Sequence, residues 1–196
     1  MKLALFVFIS FAVIGHTCVA ADTDRSPTPV AANAELEQIY HADQSDRSPA
    51  DKKQIDWSIV GPRDLQRRDR VMEMHRAGDL KAGMDFYHAA MILQHGHEPE
   101  DFLLCHELCI TAVFCHREEK GDWLAGAKWL AAASEDRFLQ TIGRNQRFGT
   151  QFRTLDPDPT WRLGEIEEGV TDEMRKAWNT PSIAEAKKRE AEMNRR

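Results

Sequence analysis

Seven residues between His95 and His116 are of the types that bind zinc or copper: His95, His97, Cys105, His106, Cys109, Cys115 and His116. Cys105 and Cys109 are four apart, so on a helix both can face one ion, with a second pair of ligands coming from elsewhere. The spacings of known sites are nevertheless missing. No two cysteines are separated by two residues, and His106-Glu107 is followed by Cys109, so the two-histidine metalloprotease motif is absent. Cys105 and Cys109 fall among Leu104, Leu108 and Ala112, where cysteine behaves as a small hydrophobe. The expectation is two buried structural thiols, with no metal and no cofactor.

Three polar pieces offer other chemistry. Gln94-His95 ends the most apolar helical stretch of the chain. A histidine there can cap the helix, satisfying its last carbonyls and suiting its dipole. Beside a carboxylate it can instead act as a general base near neutral pH. Asp136-Arg137 lies late in another helical stretch, with Asp136 on the inward Trp129–Ala133 line. Adjacent helical residues diverge by about 100°, so these two cannot both face one partner. The third piece is Gln146-Arg147-Phe148-Gly149-Thr150-Gln151-Phe152. Gly149 permits a tight bend there, and the flanking side chains can present several hydrogen-bonding groups to one concavity.

Helices must position these pieces. Helical signals run over Arg63–Ala77, ended by Gly78, and over Ala82–His95, which becomes apolar all round at Ala89–Leu93 and is ended by Gly96. Pro99 with Glu100 and Asp101 opens the next helix, which runs to about Lys120. Asp122 caps a fourth, to about Ile142, so Gly121-Asp122 must turn the two back as an antiparallel hairpin. That hairpin returns the Asp136 end beside Pro99, a few residues after His95, and Gly143 releases the Gln146–Gln151 loop at the same end. His95, Gln94, Asp136 and the loop are therefore expected in one site, His95 and Thr150 within about two helix diameters, roughly 20 Å. From Arg144 to Gly169 the helical period fails, and Asp156-Pro157-Asp158-Pro159 is rigid, non-helical chain. Thr171 caps a short helix, and Ser182 with Glu185 forms a capping box for a last, strongly charged one. No strand with sustained alternation is found.

The N-terminus has the pattern of a secretory signal: Met1-Lys2, an apolar run from Leu3 to Ile14, then the small-residue exit Cys18-Val19-Ala20-Ala21. The expected domains are a signal peptide over 1–20, a disordered polar tether over 21–55, a helical domain over 56–190 and a frayed C-terminus over 191–196. A short helix across Ala34–Tyr40 is the one ordered feature read in the tether. Loss of Lys2 takes the formal net charge from −6 to near −7. That charge argues against nucleic acid and against adhesion to anionic lipid, and no second stretch is apolar enough to span a membrane. The expectation is a soluble periplasmic or extracellular protein.

Several of these pieces also resemble a known family. Ala89-Ala90 before Gln94-His95-Gly96, Trp129-Leu130 with Asp136-Arg137, and Gln146-x-Phe148-Gly149-Thr150-Gln151 are similar to the uncharacterised bacterial family called domain of unknown function 6624. The closing Thr171-Asp172-Glu173-x-Arg175 and Pro181-Ser182 are similar too, and the resemblance runs from about Trp57 to about Glu190. Phe148 stands where that family often has tyrosine. The resemblance carries no activity; it implies that Gln94, His95, Asp136, Arg137, Gln146, Thr150 and Gln151 form one pocket.

The resulting expectation is an all-α, single-domain helical bundle of antiparallel helical hairpins, with an irregular polar loop segment after the fourth helix. Two functions compete. One is an exported binding module whose pocket holds a small polar ligand or a peptide. The other is a hydrolase with His95 as general base oriented by Asp136. No serine or cysteine stands in a recognisable nucleophile setting, which favours binding.

Overall fold

The computed structural model describes residues 30–48, 55–115, 123–155 and 157–195. The expected signal peptide, His116 and the Gly121-Asp122 turn lie outside them. The elements in order are α1 (Ala34–Asp46), α2 (Trp57–Ala77), α3 (Gly83–Leu93), α4 (Pro99–Cys115), α5 (Trp123–Thr141), β1 (Phe152–Leu155), β2 (Asp158–Leu163), α6 (Asp172–Ala177) and α7 (Ile183–Met193). The described chain is mostly helical, with one small two-stranded sheet. None of its helices is long and apolar enough to cross a membrane.

Helices α3, α4 and α5 make the centre. Ala90, Leu93, Cys105, Leu108, Cys109, Leu130 and Ala131 pack there, closed over by Leu36, Val71 and Met74 of the first two helices. Small side chains set how near the axes come. A Cβ on Gly83 would lie 3.3 Å from the Ala112 carbonyl oxygen and from the Trp123 ring, joining the start of α3 to the end of α4 and the start of α5. A Cβ on Gly126 would lie 2.5 Å from the Tyr87 hydroxyl oxygen, so this glycine serves the contact of α5 with α3, rather than the α4–α5 seam.

The N-terminal arm departs from the expected tether. Helix α1 is longer than Ala34–Tyr40 and is the first arm of an antiparallel hairpin with α2. Arg70 pairs with Glu35, Arg63 with Asp46 and Arg47 with Asp64. Asn33 caps α1 by accepting from the Leu36 amide, and its own amide donates to Asp85 at 2.7 Å. Asp85, buried at the start of α3, also accepts from the Lys81 and Ala82 amides at 2.9 Å each. Leu36 is fully buried and the Tyr40 ring stacks on His88 at 4.1 Å. Replacing Leu36 with alanine is therefore expected to cost about 2–4 kcal/mol in urea unfolding. A residue on a tether would change stability by less than about 0.5 kcal/mol.

Two further expectations change. Helix α2 begins at Trp57, ahead of the expected Arg63 start, and runs through Pro62 without a break. The region after α5 contains a β-hairpin, Phe152 opposite Leu163 and Leu155 opposite Asp158, with an irregularity between Arg153 and Leu155. Its second strand is bonded by α7 and its C-cap Asn194: the Trp161 amide donates to Asn194, the Asn194 amide group donates back to the Trp161 carbonyl, and Glu190 accepts from the Leu163 amide. Asn194 is thus tied to the sheet, within the tail expected to fray.

Candidate functional site

The loop after α5 is the most heavily bonded irregular segment of the described chain. Asp136, fully buried, accepts from the amides of Arg147 (2.7 Å) and Phe148 (2.9 Å) through Oδ1. Its Oδ2 accepts from the Thr150 amide (3.0 Å) and the Thr150 hydroxyl (2.7 Å). Arg175, also buried, holds the same loop from the other side. It donates to the carbonyls of Phe148 (3.3 Å), Arg147 (2.8 Å) and Val170. Amides thus meet the anion and carbonyls the cation. Gly149 takes φ +77°, a conformation that side chains resist, which lets the chain turn between these anchors.

Gln146 is fully buried and also structural. Its side-chain amide donates to the carbonyls of Gly164 (2.7 Å) and Gln151 (3.1 Å), and its oxygen accepts from the Gln151 amide (2.9 Å). From Thr150 the bonds lead outward. The Gln151 side chain donates to the Thr150 hydroxyl (2.9 Å) and accepts from Arg137 Nε (3.2 Å). Arg137 Nη1 then donates to the Gln94 carbonyl (2.9 Å) at the end of α3. A continuous chain of contacts therefore joins Asp136, Thr150, Gln151, Arg137 and the Gln94 backbone. The Gln94 side chain itself folds back onto the Met91 carbonyl at 3.1 Å.

This chain ends at a cavity of about 830 Å³ between the α3–α4 turn, the first half of α2 and Arg137. Gln94, His95, His97 and Arg137 line it beside the apolar Trp57, Leu65, Ile92 and Phe102. Most of its charges are already paired. Arg68 donates to Asp101 through Nε (2.8 Å) and Nη2 (2.6 Å), which holds its guanidinium above its ordinary pKa. Arg47 pairs with Asp43 and Asp64. Arg137 differs: among the described residues no carboxylate lies within 4 Å of it, and burial pulls it below its ordinary value. Gly96 on the rim admits the Asp101 carboxylate, because a Cβ there would stand 2.3 Å from its oxygen.

The pairing of His95 with Asp136 is overturned. All of the polar contacts of Asp136 go to the loop, and the carboxylate beside His95 belongs to Asp43 of α1. Asp43 Oδ2 lies 3.4 Å from His95 Nε2, but the two are not aligned as a hydrogen bond, and the buried Nε2 has no hydrogen-bond partner among the described residues. Asp43 is occupied elsewhere, accepting from Arg47 (2.7 Å) and Gln44 (2.8 Å). Of the seven expected pocket residues, Gln94, His95 and Arg137 line the cavity; Gln151 braces Arg137 from behind, and Asp136, Gln146 and Thr150 are internal ties of the loop. Sequence reading missed Asp43, because its segment read as tether, and Arg175 as a loop clamp. The spacing of Leu36, Ile39, Tyr40 and Asp43 on one helical face was the available signal for the first.

The cysteine–histidine group is dispersed. Cys105 and Cys109 are buried, and Cys115 is exposed. The Cys105 thiol donates to the Ala90 carbonyl (3.2 Å), and His106 Nδ1 meets the Ala131 carbonyl (2.8 Å). The neighbouring Cys105 thiol and burial hold the Cys109 thiol above its ordinary value, the setting of a structural rather than an activated cysteine. Among the described residues no three or more His, Cys, Asp or Glu side chains cluster to hold a metal ion. Compared with protein-family models, with curated proteins and with solved structures, the chain matches none.

Proposed function

We propose that this chain is an exported binding module of the cell envelope, and that the cavity beside Arg137 holds a small polar ligand or a peptide. One observation carries the reading: a partly buried guanidinium, oriented by Gln94 and Gln151 and lacking a carboxylate partner among the described residues, lines an open cavity of about 830 Å³. That volume lies in the range of ligand sites, roughly 300–1,000 Å³. The cavity also combines apolar walls with a few fixed polar groups, as such sites do. Export rests on the Met1–Ala21 pattern.

The test has two parts. Intact-mass measurement of the protein from the envelope fraction is expected to find a chain lacking residues 1–20 or 1–21; a chain starting at Met1 and held in the membrane overturns export. For binding, the purified mature protein is titrated with acidic, neutral and basic dipeptides while its thermal midpoint is followed. Ligands of the folded state raise the midpoint, by an amount set by RT ln(1 + [L]/Kd). No shift with any of them at millimolar concentration overturns the binding reading.

The 3.4 Å approach of His95 to Asp43 favours a second reading, a hydrolase with His95 as general base and Asp43 in the place first given to Asp136. Among the described residues lining the cavity there is no serine, threonine or cysteine, so water would have to be the nucleophile. Cleavage of the added dipeptides, lost on His95→Ala, is the result that selects this reading over binding.

A further inference from the structure

We infer that the ligand of this cavity is an organic carboxylate attached to an apolar body, with the carboxylate on Arg137 and the apolar part against Trp57, Leu65 and Phe102. The inference rests on the binding reading above and adds the chemical class.

Charge complementarity comes first. The cavity's other arginines are neutralised within the protein, Arg68 by Asp101 and Arg47 by Asp43 and Asp64. The exposed Glu98 stays in solvent at the rim. What remains in the partly buried interior is the single charge of Arg137. Its Nε and Nη1 each make one bond, to Gln151 and Gln94, which fixes the plane of the guanidinium. Three of its five N–H groups have no protein acceptor among the described residues, and a planar fork of this kind matches a carboxylate. A guanidinium whose pKa is lowered by burial is under-solvated, and an anion would relieve that cost.

The walls specify the rest. Trp57 and Leu65 lie about two turns apart on α2 and are 61% and 58% exposed, on the same helix that buries Val60 and Val71. With Ile92 and Phe102 they give the cavity an apolar lining to accompany Arg137, its one cation without a carboxylate partner among the described residues. A small inorganic anion would leave that lining bare, and a neutral apolar molecule would leave Arg137 unpaired. A carboxylate beside an aliphatic or aromatic group satisfies both. Such a group occurs at the free C-terminus of a peptide ending in an apolar residue and in a medium-chain free acid, and the test separates these sources.

Calorimetric titration of the mature protein uses two matched pairs: octanoate against octanamide, and acetyl-Ala-Ala-Phe as the free acid against its amide. In at least one pair the acid is expected to bind about tenfold or more tightly than the amide. The pair that shows this identifies the source. Arg137→Gln is expected to bring acid and amide to equal affinity. Because Arg137 also braces Gln94 and Gln151, the wild-type protein supplies a control that needs no folded variant. Raising the salt from about 0.05 to 0.5 M should weaken acid binding several-fold and leave amide binding unchanged. Equal binding of acid and amide in both pairs overturns the carboxylate assignment while binding itself stands. No binding by any of the four probes overturns this assignment, and if the dipeptides also fail, the binding reading falls with it.

Discussion

Asp136→Ala is expected to lower the unfolding free energy by about 3–5 kcal/mol, although the residue sits beside a proposed ligand site. Three backbone amides and one hydroxyl donate to its carboxylate, and the carboxylate is fully buried. Truncation leaves these donors without acceptors, and each such group is costly where water cannot replace the lost bond. Asp136→Asn should recover only part of the loss, since one oxygen becomes an amide nitrogen facing a donor. His95→Ala is expected to cost about 1 kcal/mol or less, because His95 Nε2 makes no hydrogen bond to lose. Urea unfolding of the three variants, followed by circular dichroism, checks the ranking. A cost below about 1 kcal/mol for Asp136→Ala would show that the loop is not held as described.

Arg175→Leu is the second large effect, also about 3–5 kcal/mol. The guanidinium reaches three carbonyls from one buried position, those of Arg147, Phe148 and Val170. Leucine leaves those acceptors in an apolar setting. Lysine is not expected to rescue, because a single ammonium cannot span three acceptors as the planar fork does. Asp136 and Arg175 grip the same two residues, Arg147 and Phe148, by their amides and carbonyls respectively. Once either grip is gone the loop is largely released. The double variant should therefore be less destabilised than the two single losses added together, by about 1 kcal/mol or more. Strict additivity in the thermodynamic cycle would mean that the two side chains act on separate structures.

Much of the architecture was legible in local sequence. The apolar face of Ala89–Leu93, the Pro99 start with its acidic first turn, the Thr171 cap and the Ser182–Glu185 box all appear as read. These signals need only neighbours within one or two turns. Helix α1 was undervalued because few of its residues are apolar: ion pairs with α2 and a few buried contacts, Leu36 and Tyr40 among them, hold it to the domain. Partners of that kind lie 17 to 52 residues away, and the local mark they leave is no more than the spacing of Leu36, Ile39, Tyr40 and Asp43 on one face. The β-hairpin was missed for a related reason. Its exposed pattern and Pro159 resemble loop, and its second strand is completed by Asn194 and Glu190 from the far end of the chain.

The sequence by itself determined the helical class and the burial of Cys105 and Cys109. Periodicity and caps suffice for those, since each follows from distances along the chain, whereas the contacts of Arg137 with Gln94 and Gln151 come from the tertiary structure. Only the tertiary structure decided which carboxylate faces which base. Asp136 and Asp43 are both buried acids on helices, and nothing local distinguishes an acid that ties a loop from one that approaches His95. The distinction comes from where the α5 end releases the Arg147–Thr150 amides, and from α1 docking on α2 and α3. Hydrogen bonds reach only about 3 Å, so a rotation of one helix by a single residue reassigns them, while the hydrophobic pattern that sets the bundle tolerates such a shift.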